Sequence, residues 1–178
     1  MRHSSDPRVD YRPVGETEYV MEQVRLGAGS GHALAAGILG SADLMRGAAI
    51  RPVLEAHIAA GQGRFRGIRA RCAWDPDPEV GYADRAFYPR ANVLVEGSFL
   101  EGARCLAELG LVLDIWAFHT QLGDVARFAA KCPELPIVIE HVGGPLGVGP
   151  YAGRRDEVFP NGPPACARLP PCPMSMSS

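Results

Sequence analysis

Pro136-Ile137-Val138-Ile139-Glu140-His141-Val142-Gly143-Gly144-Pro145 is the stretch on which the reading of this chain turns. Consecutive β-branched apolar residues, opened by a proline and closed by glycines, predict a strand buried on both faces of a parallel sheet. Sheets built from β-α units carry their chemistry at the carboxyl ends of the strands, and this end presents Glu140 and His141 before a loop of small residues. An imidazole there suits proton transfer near neutral pH or metal ligation. The same position also suits a strand-end histidine satisfied by a neighbouring carbonyl, so the stretch alone leaves both readings open.

Working outward, Leu111 to Phe118 reads as another buried strand. Asp114 inside it is costly unless paired, because a buried carboxylate loses its hydration. Asp114 and Trp116 share one face by period two and line a pocket if that face looks inward. Phe65-Arg66-Gly67-Ile68-Arg69 has the alternation of a strand running towards Trp74, where Asp75-Pro76-Asp77-Pro78 breaks it. In a regular strand Arg66 and Arg69 face opposite ways. Arg69, nearer the carboxyl end, offers a planar fork of donors for a substrate carboxylate or lactone oxygen; the competing reading is a surface arginine paired to an acid. Ala33 to Leu39 is the earliest strand, and Asp43 in the loop after it reads as a helix cap.

Helices are expected between these strands. One runs from Thr17, as N-cap, to Leu26; a second from Arg51 to Ala60 carries Ile50, Val53, Leu54 and Ile58, with His57 packed on the same stripe away from the active face. Ser98 and Glu101 form the S-x-x-E signature of a capping box ahead of Phe99, Ala103 and Leu106. Thr120 is the expected cap of a helix bearing Leu122, Val125, Ala126 and Ala129. Gly27 to Gly31 follow a helix and precede a strand, the wrong order for a phosphate loop, and read as a connector. Residues 75–95, proline- and charge-rich without a sustained period, are expected to form a long loop over the active face or a disordered lid, and Arg154 to Phe159 looks like the start of a helix. Residues 1–15 read as an irregular lead-in, 16–159 as the β-α body, and 160–178, with six prolines, as a disordered tail.

With 178 residues, 47% of them hydrophobic, and a mean hydropathy of -0.03, the chain can bury one core. A net charge of -2 offers no basic footprint for nucleic acid and no polybasic surface for a membrane, leaving small molecules as the expected partners. Five cysteines, at 72, 105, 132, 166 and 172, form no CxxC pair and argue for reduced thiols. The first residues lack an apolar leader and no later run approaches a membrane span, so a soluble, cytoplasmic protein is expected.

Helix and strand thus alternate four times, the pattern of parallel β-α units. Arg12-Pro-Val-Gly-Glu-Thr-Glu, Phe65-Arg-Gly-Ile-Arg, Gly110-Leu-Val-Leu-Asp-Ile-Trp and Ile137-Val-Ile-Glu-His-Val-Gly-Gly-Pro resemble the amidohydrolase-related family of metal-dependent, barrel-shaped hydrolases, in the branch containing sugar-lactone and dicarboxylate lactonases. The resemblance covers about residues 12–159. It implies an α/β fold that is part of a TIM (β/α)8 barrel, the four strands standing for the third to sixth, in a chain cut short at both ends. It also implies hydrolysis of a lactone or a similar cyclic ester or amide, with a divalent metal such as zinc in intact relatives.

The family's His-x-His motif has no counterpart, since His3 stands without a partner. At the fifth strand, where metal-using relatives place a histidine, this chain has Trp116, with His119 three residues on. His141 matches the sixth-strand histidine, preceded by Glu140 where an aspartate is usual. The expected site is therefore His141, as catalytic group or metal ligand, Asp114 and His119 as orienting groups, and Arg69 and Trp116 against the substrate. The competing expectation is a non-catalytic barrel fragment that self-associates into a homo-oligomer through open sheet edges.

Overall fold

Four short strands, β1 (Ile38–Gly40), β2 (Phe65–Arg71), β3 (Val112–Trp116) and β4 (Ile137–Ile139), form one sheet in the order β1-β2-β3-β4, every pair parallel. The computed structural model describes residues 11–29, 31–32, 34–80 and 91–158. Helices α1 (Val14–Leu26), α2 (Arg51–Gly61), α3 (Gly97–Glu108) and α4 (Leu122–Lys131) alternate with the strands, and a short α5 (Arg155–Val158) follows. Sequential parallel strands with a helix in each crossover are the repeating unit of a (β/α)8 barrel, here present as four units.

Register sorts the side chains onto two faces. Ile68, Leu113 and Ile137 lie side by side, as do Ala70, Ile115 and Ile139, and these rows pack with Val53, Leu54, Phe99, Leu106, Val125 and Phe128 from the helices. A fully buried leucine or phenylalanine in such a layer contributes roughly 1.5–3 kcal/mol. The other, inner face carries Arg69, Asp114 and Val138 in one row and Arg71 and Trp116 in the next. A bulge places Ile38 opposite Phe65 but Leu39 opposite Gly67, so Arg66 is the extra residue and leaves the regular alternation. Gly67 is required by close approach: a Cβ there would stand 1.9 Å from the Val112 carbonyl oxygen.

Several expected details differ. β4 is not buried on both faces, because it is an edge strand whose inner-face Val138 has no covering layer among the described residues. β1 begins at Ile38 rather than Ala33. α1 starts at Val14, and Thr17 is a buried interior residue whose hydroxyl is committed to His57, not a cap. The Ser98–Glu101 capping box does not form: the helix starts at Gly97, and the Ser98 hydroxyl faces the Met45 sulfur instead. Thr120 lies within a 3-10 turn, His119–Gln121, ahead of α4. Asp43 caps as expected, accepting from the Met45 amide. The expected loop 75–95 contains 3-10 turns at Pro78–Val80 and Val93–Val95; its central part, most of the lead-in and all of the tail lie outside the described residues.

His57 is buried, as expected, but its ring reaches the carboxyl end of β1 rather than the opposite end. Nε2 donates to the Ser41 carbonyl at 3.2 Å, which leaves Nδ1 to accept from the Thr17 hydroxyl at 2.9 Å. The ring stacks on Phe65. Burial pulls its pKa from 6.5 to about 4, against weaker opposing pulls from the Ser41 carbonyl and Glu18.

Candidate active site

The inner face brings Arg69 and Asp114 together through register alone, since the two are direct neighbours on β2 and β3. Arg69 Nε donates to Asp114 Oδ2 at 2.9 Å, and Nη2 forms an ion pair with Glu140 Oε1 at 2.6 Å. The side chains of Asp114 and Glu140 are 3% and 11% exposed, while Arg69 is 50% exposed. Two nearly dry carboxylates therefore orient a half-open guanidinium, leaving Nη1 outside both ion pairs. Asp114 Oδ1 is buried with no hydrogen-bond partner among the described residues.

His141 adjoins this group: Nε2 stands 3.6 Å from Glu140 Oε1, and the ring meets the edge of Trp116 at 6.3 Å. Backbone conformation aims it there. His141 and Val142 have φ of +48° and +55°, and Gly143 and Gly144 continue the left-handed run. Left-handed backbone is costly for a branched residue such as Val142 and persists only where its surroundings enforce it; such strain clusters at functional sites. Gly144 fits because a Cβ there would lie 2.4 Å from the Ala117 carbonyl oxygen.

His119 does not join this group. Its Nδ1 accepts from the Leu146 amide at 3.4 Å and its ring meets Tyr151 edge-on at 5.1 Å. Tyr151 in turn donates to Asp75 Oδ2 at 2.9 Å. Burial lowers the His119 pKa, opposed by Asp75 and the Gly144 carbonyl, and burial together with the bond to Asp75 raises that of Tyr151. The loops beyond β2 and β3 are joined by Gln121, whose Oε1 accepts from the Trp74 and Phe118 amides while Nε2 donates to the Cys72 carbonyl. Sequence reading set Glu140 beside His141 at the functional end of the strand without giving it a role, and assigned none to Gln121, Asp75 and Tyr151. The parity of Glu140 with Val138 was a usable signal for the first; nothing local marks the others.

The sequence matches the profile of the family described as Amidohydrolase over residues 18–173. The chain belongs to the amidohydrolase family. A crystal structure of an amidohydrolase from Burkholderia multivorans with bound HEPES is similar at 23% identity, with a TM-score of 0.50. The match covers 83% of this chain and 42% of that one, so this amidohydrolase-family chain spans less than half the length of that relative. The likeness agrees with a partial TIM barrel. No curated protein matches the chain.

Amidohydrolase-family members generally use a divalent metal. The residues here do not fit one as arranged. The Arg69 guanidinium already bridges the two carboxylates of Asp114 and Glu140, and among the described residues His141 is the one imidazole beside them, short of the three protein ligands of a catalytic zinc. Among the described residues no group of three or more His, Cys, Asp or Glu is placed to hold a metal ion. None of the described helices is long and apolar enough to cross a membrane.

Proposed function

We propose that this chain carries the hydrolase chemistry of its family, acting on a lactone or a similar cyclic ester or amide of a small molecule. The observation that supports this best is the Arg69 guanidinium, fixed by Asp114 and Glu140 directly beside the exposed His141. In this reading the free N–H groups of Arg69 polarise the substrate carbonyl and hold the oxyanion that forms when water attacks it. His141 takes the proton of that water, and Glu140 at 3.6 Å stabilises the resulting imidazolium. Collapse of the tetrahedral species breaks the ring C–O or C–N bond, and the leaving atom recovers the proton from His141. Trp116 supplies an apolar wall for the ring, and Asp114 positions Arg69. His119, held by Leu146 and Tyr151, shapes the rim of the site rather than taking part. The free thiols of Cys72, Cys105 and Cys132 support a reducing, cytoplasmic setting.

The test is hydrolysis of a panel of sugar and dicarboxylate lactones and cyclic amides, with and without added divalent metal, by the native chain, His141→Ala and Arg69→Lys. Loss of kcat is expected in both variants, in the first because the water loses its base and in the second because the oxyanion loses the planar fork of donors. Activity that survives His141→Ala removes that imidazole from the mechanism.

A further inference from the structure

His141 and Val142 hold left-handed backbone without glycine's freedom, a strain that needs an outside restraint. Downstream of them, the segment 145–154 doubles back across the loops that follow β3 and β2. The Gly144 carbonyl accepts from the His119 amide at 3.2 Å, and the Leu146 amide donates to His119 Nδ1. Further on, the 3-10 turn Gly149–Tyr151 meets the one at Pro78–Val80, where an added Cβ at Gly149 would stand 3.1 Å from the Glu79 Cβ. There the Tyr151 hydroxyl donates to Asp75 Oδ2 at 2.9 Å. That carboxylate is 8% exposed and is fixed through Oδ1 by the Asp77 amide. Leu146 and Tyr151 also pack with Ala73, Val80 and Phe118 in a small apolar core separate from the main one.

We propose that this segment is a strap that keeps the turn 141–144 wound, with Tyr151 as a positioning residue for His141. The bond from Tyr151 to Asp75 is the far anchor, and the wound turn sets the imidazole beside Trp116 and Glu140. The opposing quantities are of similar size. A hydrogen bond to a buried carboxylate is one of the stronger kinds, and two non-glycine residues in left-handed backbone cost a comparable amount. Cutting the anchor lets the turn unwind towards ordinary backbone and carries His141 away from Trp116. The consequence for turnover, a fall in kcat, rests on His141 being the reacting group; the geometry does not, and it is read without turnover.

Tyr151→Phe removes the hydroxyl and keeps the ring in its apolar core. The nuclear Overhauser contact between the Trp116 and His141 rings, whose centroids are 6.3 Å apart, is expected to fall several-fold. The contact between His57 and Phe65, stacked at 4.9 Å, stays unchanged and shows that the fold is intact. A Trp116–His141 contact of native strength in Tyr151→Phe overturns the proposal. Asp75→Asn leaves Tyr151 a hydrogen-bonding partner without the charge and retains the ring contact; its loss there overturns the tether as well. A double-mutant cycle in urea unfolding reads the strain itself. Val142→Gly stabilises the native chain by relieving a left-handed valine, and that gain disappears in the Tyr151→Phe background, where the turn has already relaxed. Equal gains in both backgrounds overturn the proposal. Each of these measurements can fail while the native chain hydrolyses lactones, and each stays readable if it hydrolyses none.

Discussion

Acidification acts on this fold through His57. The imidazole is held neutral inside the protein, its pKa drawn down to about 4 by burial, while in the unfolded chain it returns to 6.5. Between these values the unfolded chain binds the extra proton and the folded chain does not, so stability falls as pH falls through this window. With those two constants, linkage gives a loss of about 2 kcal/mol between pH 7 and pH 5, growing to roughly 3 kcal/mol by pH 4. The structure also says what fails when the proton does enter: Nδ1 stops accepting from Thr17, which ties α1 to α2. His57→Gln isolates the effect, since an amide can donate to the Ser41 carbonyl and accept from the Thr17 hydroxyl without titrating. Urea unfolding of both proteins, followed by circular dichroism at pH 7 and pH 5, is the assay. The native chain should lose about 2 kcal/mol more than the variant. An equal loss in both would refute the assignment of this pH dependence to His57.

Three further outcomes are expected. Arg69→Met strips the partner from a dry carboxylate and should cost about 1–3 kcal/mol in urea unfolding, with much of it regained when Asp114→Asn is added, since the amide carries no charge to leave unpaired. Val142→Gly relieves a left-handed β-branched residue that is exposed, and should raise stability by about 1 kcal/mol, less the extra chain entropy of glycine, read from the same unfolding curves. Burial pushes the Cys72 thiol up to about 12, so at pH 8 it should resist a thiol-disulfide reagent in the folded protein and react once urea is added, as peptide mapping of the labelled sites would show.

The four-unit alternation was legible because periodicity is a local property: the apolar runs at 137–139 and 112–116 announce themselves within a few residues. Caps were not, because a hydroxyl chooses among partners that sequence cannot see. Thr17 found His57, forty residues away, and Ser98 found Met45. Arg69 and Asp114 could each be singled out, one for its position and one for its burial cost, yet their union depends on strand register across 45 residues. That union matches the reading of Arg69 as an arginine paired to an acid, with Nη1 left outside both ion pairs. Val138 misled because a run of branched residues looks the same whether or not a strand lies beyond it. His57 was read correctly as packed, but its height along the sheet depends on how α2 is set against β1.

Gln121 extends the consequence of the sheet past its last rung. The Cys72 amide still pairs with the Trp116 carbonyl, after which the ladder ends and one side-chain amide takes over the work of a strand pair. The segments around Trp74 and Phe118 are thereby welded at a single point, and neither can swing outward without the other. The left-handed turn at 141–144 and the stretch around Tyr151 are fastened to the same two loops, by the His119 amide on the Gly144 carbonyl and by the Tyr151 hydroxyl on Asp75, so the described part of the mouth is laced into one piece.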